Sequence, residues 1–165
     1  MCLFESYFLE RKQYVENRGL KSRLYWASSG VHQGSVLGPL FFSLFINDLC
    51  SVLSVQHLLY ADDVKLFTCI SSEDDCLRLQ RDLDIMGEWC FNNYLALNVS
   101  KCVVTSYFRI KNPITFSSTI GGQILTRSTV VKDLGVTFNT GLTFVPHFES
   151  VASKCHKIVG FIIRR

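Results

Sequence analysis

The sequence is poor in proline and in charge. Only three of the 165 residues are proline and 19% are charged, whereas 48% are hydrophobic and the mean hydropathy is +0.21. Disordered chains combine low hydrophobicity with high net charge, so this composition disfavours disorder for the chain as a whole. Domains usually have roughly 100–200 residues. We therefore expect one domain's length of folded chain with a sizeable core.

Long apolar runs are also missing. The longest, residues 36–46, contains a Gly-Pro pair and is far shorter than the roughly 20 residues of a membrane-spanning helix. The first residues mix acidic and basic side chains with short apolar pieces, which is not the layout of a signal peptide. We expect an intracellular protein of the nucleus or cytoplasm, neither secreted nor bound in a membrane.

Paired metal-binding cysteines are absent. The seven cysteines are an odd number, none of them forms a C-x-x-C motif, and the four histidines are scattered. These spacings disfavour a disulfide framework and a zinc site, and they predict reduced, mostly buried thiols. The net charge of +3 permits a phosphate-binding surface but does not by itself argue for one.

Hydrophobic periodicity predicts a mixture of helices and hairpins. Apolar residues recur at helical spacing in four segments, which cover residues 3–10, 36–53, 73–91 and 146–164. Ser72 followed by three acidic residues is a typical helix start. Runs of β-formers around turn residues predict hairpins at 12–27, at 57–69 and around Gly121-Gly122. The fold class is α+β.

Two adjacent aspartates lie between two strand-like runs. Residues 57–60 and 64–69 are apolar and β-prone, so the turn between them holds Asp62 and Asp63 at a hairpin tip. Carboxylates are hard oxygen ligands suited to Mg²⁺ or Mn²⁺. Two such ions about 3.5–4 Å apart can clamp the attacking and leaving oxygens of a phosphoryl transfer. Taken alone, the pair would indicate ordinary solvated turn acids, and it is the apolar hairpin around them that favours a metal site.

Several motifs together resemble a known family. Tyr60-Ala61-Asp62-Asp63, within LLYADDVKLF, resembles the catalytic hairpin of reverse transcriptases, and SGVHQGSVLGPLFFSLFINDL at 29–49 resembles their template- and nucleotide-contacting segment. LNVSKC at 97–102 resembles the motif that follows, VKDLGVTF at 131–138 the primer-grip hairpin, and residues 147–164 the first thumb helix. The order of these motifs is similar to that of non-LTR retrotransposon enzymes of the LINE or jockey kind.

The resemblance implies an architecture and a set of site residues. Residues 1–140 would be part of the polymerase palm, an antiparallel sheet with the catalytic hairpin backed by the 36–53 and 73–91 helices, and residues 141–165 the start of the thumb. The implied catalytic residues are Asp62 as main metal ligand, Asp63 as auxiliary acid and Lys101 as charge stabiliser or proton donor. The implied binding residues are Gln33, Gly34, Ser35 and Tyr60 for nucleotide and template, and Leu134 and Gly135 for the primer.

The implied reaction adds deoxynucleotides to a DNA primer on an RNA template, with two Mg²⁺ or Mn²⁺ ions. Without the family match, Gln33-Gly34 is better explained as a plain turn before a helix, and an exposed surface lysine stays an alternative for Lys101. His32 departs from the family pattern, which usually has proline there.

A larger departure concerns the first catalytic strand. No F-x-x-A-F-D-like strand precedes Asp62, so the aspartate that would share both metals is not recognisable, nor are the fingers. We expect a polymerase fragment that is inactive alone and whose partner is the rest of the polymerase. The alternatives are a domesticated nucleic-acid-binding module without catalysis and a pseudogene translation with no stable fold. We also expect the apolar face of the last helix to be poorly buried and to promote self-association.

Overall fold

The computed structural model describes residues 3–32, 34–109 and 113–164, which contain both helices and strands. The predicted mixed fold class is therefore confirmed. The chain forms two compact units. One comprises the described residues up to Val52 together with Leu58–Lys65, and the other comprises Leu53–His57 with the described residues from Leu66 onward.

The first unit contains two helices and a four-part hairpin. Its elements are α1 (Leu3–Phe8), β1 (Lys12–Gln13), β2 (Glu16–Asn17), β3 (Leu20–Lys21), β4 (Tyr25–Trp26) and α2 (Gly38–Val52). β1 pairs antiparallel with β4, and β2 with β3, so one continuous hairpin covers the predicted 12–27 region. Its tip, Arg18-Gly19, has positive φ at both residues, as a tight turn between twisted strands requires.

Helix α2 is less buried than expected. The helix begins at Gly38, two residues after the start of the predicted segment, so Pro39 lies in its first turn. Proline is tolerated there because the N–H groups of the first turn have no partner within the helix. Ile46 and Leu49 are buried, but Leu40 and Leu44 are exposed. The expectation of a mostly buried helix was wrong, because most residues of α2 are exposed and the buried ones are Gly38, Ile46 and Leu49.

The hairpin with the two aspartates forms as predicted. Strands β5 (Gln56–Tyr60) and β6 (Asp63–Phe67) pair in a two-stranded ladder, and Ala61 and Asp62 make the turn. The tip, Leu58–Lys65, is in the same unit as α2, and the base is in the second unit.

The second unit carries the remaining elements. They are α3 (Glu73–Asn92), a 3₁₀ turn (Val99–Lys101), β7 (Val103–Val104), β8 (Thr119–Ile120), β9 (Gln123–Ile124), β10 (Thr126–Arg127), β11 (Val130–Asp133), β12 (Val136–Asn139) and α4 (Val145–Ile163). The Gly121-Gly122 hairpin is confirmed as β8–β9.

The start of α3 follows the predicted pattern. Ser72 is the N-cap, and the backbone N–H groups of Ser71 and Ser72 donate to the Asp75 carboxylate at 2.9 and 3.0 Å. These hydrogen bonds lower the pKa of Asp75 from its usual value, because they stabilise the charged form. The helix then buries Cys76, Leu83, Met86 and Cys90, as its periodicity predicts.

The expected antiparallel sheet is the main correction to the fold. Among the described residues the strands form six separate two-stranded ladders, and one of them, β7–β10, is parallel. The connection between these two strands includes the β8–β9 hairpin. Strands of two to five residues leave each ladder narrow.

The last helix, α4, has no buried residue, and its apolar side chains, including Phe148, Val151, Ile158 and Ile162, are exposed. The expectation that this face is poorly buried is confirmed. In the part of the chain that the structure describes, no helix is long and apolar enough to span a membrane.

The described cysteines form no disulfide. Cys76 and Cys90 are buried, and burial raises the pKa of each thiol. Cys69 and Cys155 are exposed, and the two others lie between these extremes, so the expectation of mostly buried thiols was wrong.

Candidate active site

The tip of the β5–β6 hairpin presents its acids to solvent. Ala61 takes a left-handed backbone conformation with φ of 51°, which costs a non-glycine residue energy and is typical of a tight turn. Asp62 completes the turn, Asp63 begins β6, and both are exposed. Tyr60, the last residue of β5, is 62% exposed. The hairpin thus offers two neighbouring carboxylates and an aromatic ring to a ligand from solution.

A buried aspartate secures the base of this hairpin. Asp82 of α3 is 2% exposed, and its carboxylate accepts hydrogen bonds from Ser54 N at 2.7 Å, Val55 N at 2.6 Å and Ser54 Oγ at 2.9 Å. Three donors satisfy a charge that would otherwise be costly to bury. Val55 directly precedes β5, so Asp82 fixes the point from which the hairpin begins.

The segment before α2 is held by the Ser35 hydroxyl. It donates to His32 O at 2.9 Å and accepts from Gly38 N at 3.0 Å, which caps the start of the helix. Tyr7 Oη lies 2.6 Å from Ser35 Oγ, and because the serine proton is given to His32, the tyrosine donates. The Tyr7 ring also contacts the His32 ring edge to face. Gly34, with φ of 80°, has open space around its Cα.

This packing leaves no room for a side chain at position 38. A Cβ there would lie 2.8 Å from Ser35 Oγ and 3.2 Å from His32 O. We expect Gly38→Ala to lower the free energy of unfolding by about 1–3 kcal/mol, the usual cost of overpacking, because Ser35 is tied by three hydrogen bonds. Urea unfolding followed by circular dichroism measures it.

Gly160 in α4 provides the matched control. Nothing lies within 4 Å of a Cβ at that position. We expect Gly160→Ala to stabilise the chain by about 0.5–1 kcal/mol, because alanine is the better helix former. Equal effects of the two substitutions would show that position 38 is not packed as described.

The other predicted site residues lie in the second unit. Lys101 ends the 3₁₀ turn, its backbone N–H donates to Asn98 O at 3.0 Å, and it is exposed. Leu134 and Gly135 form the turn between β11 and β12, with φ of 44° and 89°. The segment that resembles a primer grip is therefore a true hairpin with a tight tip.

The structure groups only some of the predicted residues. Tyr60, Asp62 and Asp63 share one hairpin, and Gly34 and Ser35 share one loop of the same unit, whereas Gln33 lies outside the described residues. The part played by each of these residues, and by those of the second unit, stays a prediction. Within residues 3–32, 34–109 and 113–164, no three His, Cys, Asp or Glu side chains gather into a metal-holding group.

Two residues that organise the site were missed from the sequence. Tyr7 lies 28 positions from its partner Ser35. Asp82 lies 28 positions from Ser54 and 27 from Val55. Local periodicity places Asp82 beside the apolar stripe of α3, and no motif distinguishes it from an exposed acid.

Comparison with known proteins identifies the family. Residues 2–162 match the family described as reverse transcriptase (RNA-dependent DNA polymerase), which is nearly the whole chain. The chain belongs to the reverse transcriptase family. Reverse transcriptases generally use divalent metals and act on nucleic-acid templates and primers.

The relatives place this reverse transcriptase segment among mobile elements. It is 32% identical to a probable RNA-directed DNA polymerase from transposon BS of Drosophila melanogaster, covering 94% of this chain and 18% of the relative. It is also 32% identical to the RNA-directed DNA polymerase from mobile element jockey of Drosophila funebris, covering 90% of this chain and 17% of the relative. The chain is thus a fragment of a non-LTR, jockey-type reverse transcriptase and spans less than a fifth of these relatives. No solved structure matches it.

Proposed function

We propose that this segment supplies the catalytic hairpin of an RNA-directed DNA polymerase, within a palm at 1–140 and the start of a thumb at 141–165. The observation that supports it is the exposed Asp62-Asp63 pair at the tip of a β-hairpin, in a chain of the reverse transcriptase family. The substrates are deoxynucleotides, a DNA primer and an RNA template.

The residues present fit a divalent cation. Mg²⁺ and Mn²⁺ prefer oxygen ligands, and Mg²⁺ is usually held by one or two carboxylates together with substrate phosphates. Asp62 would be the main ligand and Asp63 the auxiliary one. The bound ion supplies charge stabilisation to the oxygens that react. The strained Ala61 turn keeps both carboxylates at the tip, where phosphates arriving from solution can reach them.

The other residues would hold substrate. Gly34 leaves its backbone open, so a template or nucleotide can approach closely. Gln33, Ser35 and Tyr60 would contact the same substrates. Lys101 would balance the charge of the triphosphate, and the Leu134-Gly135 turn would contact the primer. In the folded chain the Ser35 hydroxyl already serves three hydrogen bonds, so it supports the loop while the backbone faces the ligand.

A segment exchange tests the proposal. In the jockey polymerase of Drosophila funebris, the matching segment is replaced by this chain, and primer extension on an RNA template is measured with Mg²⁺ or Mn²⁺. We expect the chimera to extend the primer. A folded chimera that binds template and primer but adds no nucleotide would overturn the proposal.

The 165-residue chain on its own is expected to give no extension. It spans 18% of the relative, and the positioning of substrates by other segments can account for roughly 7–11 kcal/mol of a barrier. Extension by the isolated chain that disappears in Asp62→Ala would show that an acid within it replaces the unrecognised first aspartate.

A further inference from the structure

The β1–β4 hairpin is unusually rich in exposed aromatic and basic side chains. Every residue from Tyr14 to Trp26 is exposed, including Tyr14 at 45% and Trp26 at 62%. Two lysines lie over these rings: Lys12 Nζ is 4.4 Å from the centroid of Trp26, and Lys21 Nζ is 4.9 Å from that of Tyr14. We call residues 12–26 the aromatic hairpin.

Strand pairing brings these groups together along the hairpin. Lys12 is the register partner of Trp26, and Tyr14 directly follows the last residue of β1. Lys21 contacts Tyr14 and is the register partner of Glu16. Two lysine–aromatic pairs therefore lie on neighbouring segments of the same hairpin.

The strand register changes by one residue between the β1–β4 and β2–β3 ladders of this hairpin. Val15 O accepts from Ser22 N, whereas Gln13 pairs with Tyr25, so residues 23 and 24 oppose Tyr14 alone. Such a bulge increases the local twist of a hairpin and redirects its side chains. It also places Arg23 beside Tyr14.

The charge of the aromatic hairpin is strongly one-sided. It carries four basic residues and one acid, and they are Lys12, Arg18, Lys21 and Arg23 against Glu16. Its net charge of +3 equals that of the whole chain. Proteins that bind single strands combine a positive surface along the phosphates with aromatic rings on which successive bases stack. An apolar or basic partner would not use this excess of cations.

We propose that the aromatic hairpin binds a single-stranded segment of nucleic acid, with bases stacked on Trp26 and Tyr14 and phosphates near Lys12, Lys21 and Arg23. This inference rests on the proposed function, because the strand it holds would be a template or primer of the same polymerase. It adds a contact surface that includes none of the predicted site residues.

The test measures binding rather than polymerisation. The full 165-residue chain is titrated into fluorescein-labelled oligo-uridine, oligo-thymidine and a blunt DNA duplex, and fluorescence anisotropy is followed at several salt concentrations. We expect both single strands to bind more tightly than the duplex. We expect Trp26→Ala and Tyr14→Ala each to weaken binding about tenfold, and Lys21→Gln to lower the salt slope by about 1.

Matched controls separate the hairpin from exposed residues elsewhere. Tyr94 is 99% exposed and Lys157 is exposed on α4, so Tyr94→Ala and Lys157→Gln are expected to change affinity less than twofold. Trp26→Phe, which keeps a stacking ring, is expected to restore most of the affinity. A loss that Phe does not rescue would indicate a structural effect and overturn the proposal.

The outcome is independent of catalysis. We expect Asp74→Asn, which removes an exposed carboxylate of α3 outside the proposed site, to bind single strands like the parent chain. Single strands that bind equally well to Trp26→Ala and Tyr14→Ala, or no binding to any single strand, would overturn the role of the aromatic hairpin. Primer extension by the chimera would still decide the proposed function separately.

Discussion

Asp62→Asn in the chimeric polymerase is expected to lower RNA-templated primer extension about 10³-fold. Asparagine has nearly the same shape but no negative charge, so the hairpin keeps its turn and loses its main charged ligand for a divalent cation. Metal stabilisation of the reacting oxygens is worth several kcal/mol, and about 4 kcal/mol corresponds to that rate loss. Single-turnover extension at saturating nucleotide measures it.

Two other aspartates are the comparison for this result. Asp63→Asn is expected to cause a smaller loss, because Asp63 is the auxiliary acid. Asp74 is exposed in the first turn of α3, and Asp74→Asn is expected to keep the rate within twofold. A rate for Asp62→Asn close to that of Asp74→Asn would assign the metal to other residues.

The largest loss of stability is expected from Asp82→Ala, about 3–5 kcal/mol of unfolding free energy. The substitution removes the acceptor of three hydrogen bonds and leaves the N–H groups of Ser54 and Val55 without a partner beside α3. Val55 is buried, so its N–H group carries its full desolvation cost once the charged acceptor is lost. Because native domains are stable by only about 5–15 kcal/mol, much of the total would be lost. The midpoint of urea unfolding measures this loss of unfolding free energy.

Glu88, an exposed acid on the same helix, is the matched control. We expect Glu88→Ala to shift the unfolding free energy by less than about 0.5 kcal/mol. The loss of unfolding free energy in Asp82→Asn should lie between those of Asp82→Ala and Glu88→Ala. The asparagine amide retains one acceptor oxygen, but its N–H group would point at a backbone N–H. If Asp82→Ala unfolds at the same urea concentration as Glu88→Ala, the carboxylate does not anchor the hairpin.

The sequence predicts those elements whose signals are local. Paired turn residues such as Gly121-Gly122 determine a hairpin almost alone, and Ser72 with its acidic first turn marks a helix start. The burial of Asp82 is different. On α3 this residue lies at the edge of the apolar stripe, and residues 54 and 55, far away in sequence, decide whether it meets solvent or donors.

The candidate site also contains both kinds of feature: those that neighbouring residues predict and those that depend on residues far away in sequence. The aspartates, their hairpin and the tight turn at Leu134-Gly135 follow from neighbouring residues, so they could be predicted. The triple use of the Ser35 hydroxyl could not, because Tyr7 approaches it from another helix. The exposure of Leu40 and Leu44 on α2 also escapes periodicity, which shows that a face is apolar but not what covers it.

The antiparallel ladders have a consequence for the order of folding. Each joins stretches of chain that are neighbours in sequence, and tips such as Arg18-Gly19 and Gly121-Gly122 already hold the backbone angles of the turn. Hairpins of this kind close in about 1–10 μs. The parallel β7–β10 pair needs the chain from 105 to 125 to loop back first, at a higher entropic cost. On a ribosome, the aromatic hairpin and the aspartate hairpin would thus be complete before β10 has been synthesised.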